Sequence, residues 1–286
     1  MNGVLLVDKP ADWTSHDVVA KLRGVFGEKR IGHAGTLDPM ATGLLVVFLG
    51  RATKAVSFAE AREKRYIARL RLGVVTDTQD ITGRVLAQRE QHVTRSELEA
   101  ALSAFRGEIL QVPPMYSAIK VDGKRLYDVA RCGGEVERAA RPVTIHRLEL
   151  IGSIDGDWLL DVTCSKGTYI RTLCHDLGEK LGCGGTLSAL RRISVGDYAV
   201  REAHTVQALA QMPREEAQTL LMPLDSVFRS HPAVTLSAPQ ERLCRNGVAF
   251  SCDAPDGVYR VYGQNGDFLM LGEMRDGTAN AIKRFF

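Results

Sequence analysis

Hydrophobic and polar positions along the chain predict short strands that alternate with amphipathic helices. Apolar residues fill positions 3–7 and 44–49, and each run has the length of one buried strand. Between these runs, apolar residues recur at helical spacing: Val18, Val19, Leu22 and Val25. Ser15 stands just before them, where a helix N-cap is expected. The pattern therefore predicts a strand, a helix and a second, buried strand at the start of the chain.

Strict alternation of apolar and polar residues after residue 65 predicts a strand with one buried face. One face carries Tyr66, Ala68, Leu70 and Leu72, and the other carries Arg69 and Arg71. Tyr66 is therefore directed towards the interior. Because half-buried strands often carry a tyrosine for packing, the alternation alone favours a structural role for Tyr66.

Two later helices have clear start signals. Thr94 and Glu97 have the spacing of a capping box, and Gly107 marks the end of that helix. Its apolar face is formed by Leu98, Ala101, Leu102 and Phe105. The second helix follows a strand at residues 158–164 and a turn at residues 165–168. Its apolar residues are Ile170, Leu173, Leu177 and Leu181. Each helix thus has one face that can pack on a sheet.

The C-terminal segment differs in character from the rest of the chain. Residues 231–286 contain a short helical stretch at 240–245, a hairpin signal at Asn265 and Gly266, and a last strand at 281–286. Basic and acidic residues number six each in this segment, so it is not itself a basic patch. We expect a small β-barrel there.

Net charge gives little indication of a partner. The chain has 286 residues and a formal net charge of only +3, which is weak support for binding a polyanion. Residues 120–147 are more basic, with seven Lys or Arg against four Asp or Glu. Further cations could join them in one positive face: Lys64, Arg65, Arg69, Arg71, Lys166, Arg171, Arg191 and Arg192. A scattered, solvated surface is the default expectation for such charges.

Length and cysteine content limit the class of protein to which the chain can belong. A chain of this length can bury a large core and carry a small appended domain. Its six cysteines include no CxxC pair and no zinc-type cluster with histidines, so we expect free thiols in a reducing compartment. The N-terminal segment shows no basic leader and no long apolar run. We therefore expect a cytoplasmic protein without a membrane span.

Asp38 lies in the most unusual stretch of the chain, GHAGTLDPMATGLL at residues 32–45. Its glycines allow conformations closed to other residues, and Pro39 fixes the backbone just after the aspartate. A carboxylate on so stiff a loop could act as a nucleophile, a general base, a metal ligand or a helix cap. Asp followed by Pro is itself a common helix start, so these two residues alone favour the cap.

Asp77 and Asp80 form a second acidic pair, in the sequence TDTQD. A metal site needs more carboxylates than this stretch supplies. We therefore expect a loop in which these side chains accept hydrogen bonds from the backbone.

The stretch around Asp38 closely resembles the catalytic-aspartate motif of the TruB-type pseudouridine synthases, in which the matching aspartate is essential. Three further stretches resemble motifs of this family: the Lys-Arg-Tyr segment that ends at Tyr66, YSAIK at residues 116–120, and CSKGTYIRTL at residues 164–173. The Leu-Arg-Arg segment that begins at Leu190 matches as well. The resemblance covers nearly all of the chain before the C-terminal segment, and no catalytic position departs from it.

The resemblance implies an α+β fold, with a mixed, mainly antiparallel sheet flanked by helices and an active-site cleft across the sheet. Residues 1–229 would form the catalytic domain, and a basic insertion at about residues 120–147 would grip the RNA. Residues 230–286 would form the small β-barrel, which weakly resembles a PUA domain, an RNA-binding module.

The resemblance also implies a function and the residues that perform it. The family isomerises uridine to pseudouridine at position 55 in the T loop of tRNA after flipping the base out, and it needs no cofactor and no metal. Asp38 would be the catalytic residue, and Arg171 would form a salt bridge that keeps it ionised and lowers its pKa. Tyr66 would stack on the target base, and Leu190 would line the base pocket. The other expected substrate contacts are His33, Tyr116, Lys120, Lys166 and Tyr169, with Lys124, Arg125 and Arg131 at phosphates. We expect a monomer that binds the T-arm stem-loop.

Two other functions fit parts of the sequence. An aspartate that transfers phosphoryl groups, as in haloacid-dehalogenase-like phosphatases, would stand at the end of an apolar strand with a second carboxylate two residues on. Asp38 instead follows Gly-Thr-Leu and precedes Pro-Met. A tRNA-folding chaperone with little or no catalysis is the second alternative. A pure binder has no need for a buried carboxylate beside Arg171, which favours the isomerase.

Overall fold

Strands and short helices alternate along the chain. A computed structural model describes residues 1–117, 120, 121, 124, 125, 127, 129, 134 and 136–286, with the main chain alone at residues 120, 121, 124 and 125. In chain order the strands are β1 Gly3–Lys9, β2 Ile31–Ala34, β3 Thr42–Leu49, β4 Lys64–Leu72, β5 Val74–Thr76, β6 Val85–Gln88, β7 Gly107–Gln111, β8 Lys120–Val121, β9 Lys124–Arg125, β10 Arg141–Ile154, β11 Asp157–Cys164, β12 Gly185–Val195, β13 Tyr198–Ala199, β14 His204–Thr205, β15 Ala233–Thr235, β16 Phe250–Ser251, β17 Gly257–Tyr262, β18 Phe268–Arg275 and β19 Thr278–Arg284.

The helices are short and lie mainly between strands. They are α1 Ser15–Phe26, α2 Val56–Glu60, α3 Arg95–Leu102, α4 Ile170–Lys180, α5 Val206–Gln211, α6 Arg214–Thr219 and α7 Ala238–Arg245. Single 3-10 turns cover Gly50–Ala55, Ser103–Phe105, Val200–Glu202 and Leu224–Phe228. Among the described residues, no helix has the length and apolarity needed to span a membrane.

Ten of the strands form one sheet. Their order is β14-β1-β3-β12-β4-β11-β10-β7, with β2 paired to β3 and β13 paired to β12. All neighbours are antiparallel except β1 with β14 and β3 with β12. The fold is therefore α+β with a mixed, mainly antiparallel sheet, which confirms the predicted fold class. The parallel pair places Thr42, just after the Asp38 loop, beside Arg191 of β12.

Helices pack on this sheet in two groups. α3 and α4 pack on β4, β10, β11 and β12 and form a core that includes Leu70 and Leu173. α1, α5 and α6 pack on β1 and β3 and form a second core that includes Leu22 and Leu45. Leu37, in the loop that leads into β3, belongs to the first core. The Asp38 loop therefore joins strands of the second group to the core of the first.

The opposite face of β4 and β12 is polar, and its charges are paired. Three arginines there make two-point contacts with carboxylates: Arg65 with Asp161, Arg71 with Asp157, and Arg191 with Asp8. Lys64, Arg171 and Arg192 are instead buried on the side of the helices. These cations therefore do not form the single positive face that was considered for them. Successive residues of a strand point to opposite faces, so these charges are divided between the two sides.

Of two predicted helix N-caps, one is confirmed and the other lies one residue earlier. Thr94 and Glu97 form the capping box of α3, as predicted. The N-cap of α1 is Thr14 and not Ser15, because Thr14 offers the same capping hydroxyl one residue earlier. Ser15 is the first helical residue, and its hydroxyl bonds the main chain of Leu37 at 3.0 and 3.2 Å. The serine thus ties α1 to the Asp38 loop.

Part of the basic insertion lies within the described residues. β8 and β9 pair as a hairpin, with Lys120 opposite Arg125 and Val121 opposite Lys124. Arg131, expected at a phosphate, lies outside the described residues.

The C-terminal segment forms a separate five-stranded sheet. Its order is β15-β17-β18-β19-β16, and Asn265 and Gly266 occupy the turn between β17 and β18, as predicted. The sheet is curled into a half-barrel. The predicted barrel is thus an open, curled sheet.

The two sheets share an aromatic core centred on Phe228. Its ring centroid lies 5.1 Å from that of Phe58, 5.8 Å from Phe268 and 5.6 Å from Phe285. Phe48 of β3 belongs to the same buried cluster. The predicted boundary at residues 229 and 230 therefore falls between two sheets that are packed on each other.

Phe228→Ala removes the ring on which both sheets pack. We expect the free energy of unfolding to fall by about 3–5 kcal/mol, because a buried phenylalanine loses its contacts and leaves a cavity. Urea denaturation followed by circular dichroism measures this loss. Leu86→Ala is the control, at a side chain that is 57% exposed, and should cost less than about 0.5 kcal/mol. Equal effects of the two changes would contradict a shared core.

Candidate active site

Asp38 stands in a loop between β2 and β3 that no helix follows. The chain turns at Pro39 and Met40, the amide of Ala41 donates to the Asp38 carbonyl over 3.0 Å, and β3 begins at Thr42. The helix-cap alternative for Asp38 is therefore wrong. The Asp38 side chain remains 36% exposed. A ligand can thus reach the carboxylate from solvent.

Gly43 is required where this loop enters β3. Its φ is 99°, and a Cβ at this position would lie 2.3 Å from the carbonyl oxygen of Arg192 in β12. Only glycine tolerates both the dihedral angle and the close approach. The loop is thereby held against the strand that carries Leu190.

Lys9 holds the loop from the interior. Its ammonium donates to the carbonyls of Pro10 at 2.8 Å and Pro39 at 3.1 Å, and also to that of Trp13. The side chain is fully buried, and burial lowers the pKa of Lys9 to about 8, although the Asp38 carboxylate opposes this shift. A buried cation therefore fixes the residue that follows Asp38.

Arg171 makes the predicted contact with Asp38. It is the second residue of α4, and its side chain is 4% exposed. Its Nε lies 2.9 Å from Asp38 Oδ2, and its Nη2 donates to Asp38 Oδ1 over 3.3 Å. The carbonyls of Thr78 and Tyr116 accept from the same guanidinium at 3.0 and 2.7 Å. Two-point contact of this kind fixes the plane of the carboxylate.

Asp80 is a second carboxylate at the same guanidinium. Its Oδ2 lies 3.7 Å from Arg171 Nε, and its Oδ1 accepts from the hydroxyls of Thr78 and Thr82. The hydrogen-bonded loop predicted around Asp80 is confirmed, but its contact with Arg171 was not predicted.

The pKa of the Asp38 carboxyl is raised, contrary to prediction. Burial is the main cause; Arg171 opposes it, and the charge of Asp80 adds to it. The expected net lowering was wrong because partial burial of the carboxyl group and the charge of Asp80 together outweigh the effect of Arg171.

Tyr66 and Leu190 line the same side of the sheet. They are 9% and 8% exposed, and the register of β4 and β12 places Leu190 opposite Ala68, two residues from Tyr66. Burial raises the pKa of the Tyr66 phenol, and Arg192 opposes that rise. The inward direction predicted for Tyr66 is confirmed. The pair provides an apolar wall beside the carboxylate.

His33 lies on β2, just before the Asp38 loop. Burial lowers the pKa of His33 to about 4, and the charges of His16 and Arg192 add to that effect, so the ring is neutral at pH 7. The ring meets that of His16 edge-on at 5.6 Å. Its Nδ1 is buried and has no hydrogen-bond partner within the described part of the chain. Lys166 is exposed in the turn before α4.

Tyr116 and Tyr169 contribute main-chain hydrogen bonds to the surroundings of Asp38. The Tyr116 carbonyl accepts from Arg171, as described above. Tyr169 precedes α4, and its amide and carbonyl bond the side-chain amide of Gln111 at 3.0 and 3.2 Å. Gln111 is 1% exposed and was not predicted. The side chain of Lys120 lies outside the described residues.

The burial of two cations was not predicted, although the sequence carries a signal for it. Lys9 follows the buried Val7 by two positions in β1, and Arg192 follows Leu190 by two positions in β12. Alternation along a strand therefore places both on a buried face. Asp80 offered no such signal, because loop structure decides its direction.

The site offers one oriented anion, the Asp38 carboxylate, for chemistry. Within the described ranges, no group of three or more His, Cys, Asp or Glu side chains could hold a metal ion. The Asp38 carboxylate is oriented by Arg171, is open on one side and borders an aromatic ring. It can act as a nucleophile, accept a proton or stabilise positive charge.

Two family models match the chain in succession. The N-terminal domain of TruB family pseudouridylate synthases matches residues 23–170, and the C-terminal domain of tRNA pseudouridylate synthase B matches residues 171–229. The chain belongs to the TruB family. The resemblance drawn from the motifs is thereby confirmed, and the motif aspartate of this TruB family member is the residue that Arg171 contacts.

Individual relatives agree along the whole chain. It is 50% identical to tRNA pseudouridine synthase B of Aromatoleum aromaticum, over 99% of this chain and 92% of that protein. It is 46% identical to tRNA pseudouridine synthase B of Chromobacterium violaceum, over 99% and 94%. A chain of a solved H/ACA ribonucleoprotein bound to a substrate RNA containing 2′-deoxyuridine matches with a TM-score of 0.74 at 22% identity, over 99% of this chain and 85% of that one. This last likeness concerns the fold alone.

Asp80→Asn should lower the pKa of the Asp38 carboxyl, because it removes a negative charge that disfavours ionisation. Carbon-13 NMR titration of labelled aspartate side chains measures the midpoint, and Asp38→Asn identifies the signal. Asp77→Asn is the matched control, since the Asp77 carboxylate lies in the same loop but faces Arg84 at 4.0 Å. The Asp38 midpoint should be close to that of wild type in this control. No change in Asp80→Asn would contradict the shared guanidinium.

Proposed function

We propose that this chain converts uridine to pseudouridine in tRNA, at position 55 of the T loop. The observation that carries the proposal is the Asp38 carboxylate held by Arg171 at 2.9 Å while 36% of its side chain stays exposed. Family membership supplies the reaction class, since the relatives described above are named tRNA pseudouridine synthase B. This geometry gives that reaction an oriented anion in an open site.

The reaction breaks the bond between N1 and C1′, turns the uracil and joins its C5 to C1′. No electrons are gained or lost overall, so side chains suffice and no cofactor is needed. Positive charge that develops at C1′ requires an anion, and Asp38 provides it. The carboxylate can attack C1′, take a proton so that a glycal forms, or add to C6 of the base. All three routes use the ionised form.

Arg171 favours the ionised form of Asp38 and fixes the orientation of its carboxylate. Burial and Asp80 both disfavour the charged form of Asp38, and Arg171 opposes them. The planar guanidinium also fixes the direction of the carboxylate through two contacts. Removing the arginine would therefore affect both the charge and the position of the reacting oxygen.

Access to the uridine requires the base to leave the RNA loop, at a cost of a few kcal/mol. Stacking on Tyr66 offsets much of this, since a base-aromatic contact is worth roughly 1–3 kcal/mol. Leu190 lines the pocket beside it. His33, whose ring is neutral, is assigned to a further RNA contact. The remaining RNA contacts are assigned to Tyr116, Lys120, Lys166 and Tyr169.

The proposed substrate is the T-arm stem-loop, bound by a monomer in the cytoplasm. Residues 1–229 carry the reaction and residues 230–286 add RNA contacts. A chaperone without catalysis is not favoured, because binding alone has no use for the Asp38–Arg171 pair.

Asp38→Asn should abolish isomerisation while leaving the fold and the RNA affinity intact, because it removes the anion and preserves the volume. Tritium release from a T-arm stem-loop labelled at uridine C5, without added metal or nucleotide, measures the reaction. Asp155→Asn is the control, at a side chain that is 80% exposed, and should release tritium like wild type. Substantial turnover by Asp38→Asn would refute the assignment. No release by wild type would refute the proposed substrate.

Arg171→Lys should cost far more activity than stability. A lysine cannot reproduce two-point contact with the carboxylate, so we expect the single-turnover rate to fall about 100-fold. The free energy of unfolding should change by less than about 2 kcal/mol. Arg65→Lys breaks the two-point contact with Asp161 on the opposite face and should leave the rate close to wild type. Losses of rate and stability in equal proportion would make Arg171 a purely structural residue.

A further inference from the structure

Arg192 is a fully buried cation that pairs with no carboxylate in the described part of the chain. Its side chain is 1% exposed, and none of the salt bridges among the described residues involves it. Burying an unpaired charge is costly. A function that requires positive charge at this point would explain why an arginine occupies it.

The Arg192 guanidinium spans the two ends of the Asp38 loop. Its Nε donates to the carbonyl of Leu44 over 2.7 Å, and its Nη2 donates to the carbonyl of Gly35 over 3.0 Å. Gly35 and Leu44 lie on either side of Asp38 in the chain. Both bonds use main-chain oxygens, so they fix the loop without neutralising the cation.

Tyr66 is the cross-strand neighbour of Arg192. The register of β4 and β12 places the two residues directly opposite each other, and both point to the buried, helix-covered side. Of the charged groups around the Tyr66 phenol, Arg192 acts on it most strongly, and it favours the ionised form. The cation therefore lies next to the ring that is proposed to stack on the target base.

We propose that Arg192 is a positioning residue that holds the Tyr66 hydroxyl oxygen as a hydrogen-bond acceptor and stabilises negative charge on it. With the oxygen accepting from the guanidinium, the phenol proton is directed away from Arg192 and towards the substrate. The same guanidinium bonds the Asp38 loop, so the phenol and the carboxylate are held in one fixed arrangement. This inference rests on the proposed function.

The isomerisation gives such a phenol a definite task. Between reactant and product, C5 loses a proton and N1 gains one. A phenol that gives its proton to the released N1 and then takes the proton of C5 completes this transfer and ends unchanged. Between the two events the oxygen of Tyr66 is negative, and the buried cation behind it offsets that charge.

A double-mutant cycle tests this coupling. Single-turnover tritium release is measured for wild type, Arg192→Gln, Tyr66→Phe and the double variant, with RNA affinity and thermal melting recorded for each. We expect Arg192→Gln to slow release about 100-fold with RNA affinity unchanged. In the Tyr66→Phe background the same change should have a much smaller effect, because its target oxygen is absent and only the contacts with the Asp38 loop are lost.

Arg192→Lys keeps the charge and guards against a failure of Arg192→Gln to fold. One ammonium cannot serve both carbonyls and the phenol, so release should be slower than in wild type. The loss caused by Arg192→Lys should again be much smaller in the Tyr66→Phe background. Arg191→Gln is the matched control, one residue earlier on the opposite face, where the guanidinium pairs with Asp8 at 2.7 Å. It should release tritium at the wild-type rate.

The outcomes separate this inference from the function on which it rests. Losses that multiply in the double variant, or no loss in Arg192→Lys, overturn the role assigned to Arg192. A wild-type protein that releases no tritium refutes the proposed function instead.

Discussion

A single guanidinium shared between two carboxylates holds the site together. Arg171 lies 2.9 Å from Asp38 and 3.7 Å from Asp80, and its other donors bond the carbonyls of Thr78 and Tyr116. One positive charge cannot fully offset two negative ones where water is scarce. The carboxylate of Asp38 is therefore precisely oriented but costly to ionise. α4, the loop at Asp80 and the segment at Tyr116 all meet at this side chain.

Strand alternation and helix capping made much of the fold predictable. Both are local rules, and they found the inward direction of Tyr66 and the capping box at Thr94. The resemblance of four motifs to a family added Asp38 and Arg171. Asp80 escaped prediction because its contact with Arg171 depends on how two distant segments meet. The predicted lowering of the Asp38 pKa was wrong for the same reason, because the shift depends on Asp80, whose position near Asp38 the sequence does not reveal.

Buried cations in this molecule bond main-chain carbonyls more often than carboxylates. Lys9 bonds three carbonyls around the Asp38 loop, Lys64 bonds those of Glu60 and Arg62, and Arg192 bonds both ends of the loop. Such cations tie segments together while their charge remains uncompensated. On the opposite face of the sheet, arginines pair with carboxylates and their charge is cancelled. The same residue types thus leave net positive charge on the buried face and form neutral ion pairs on the opposite face.

The aromatic cluster around Phe228 makes the two sheets one body. A flexible tether would let the C-terminal sheet sample many positions around the catalytic loop. A packed interface instead sets a constant separation between its outer surface and Asp38. An RNA that contacts both must match that separation in its own length and curvature. For an RNA that contacts both, the fixed separation would add a requirement on RNA shape to the recognition of one base near Asp38.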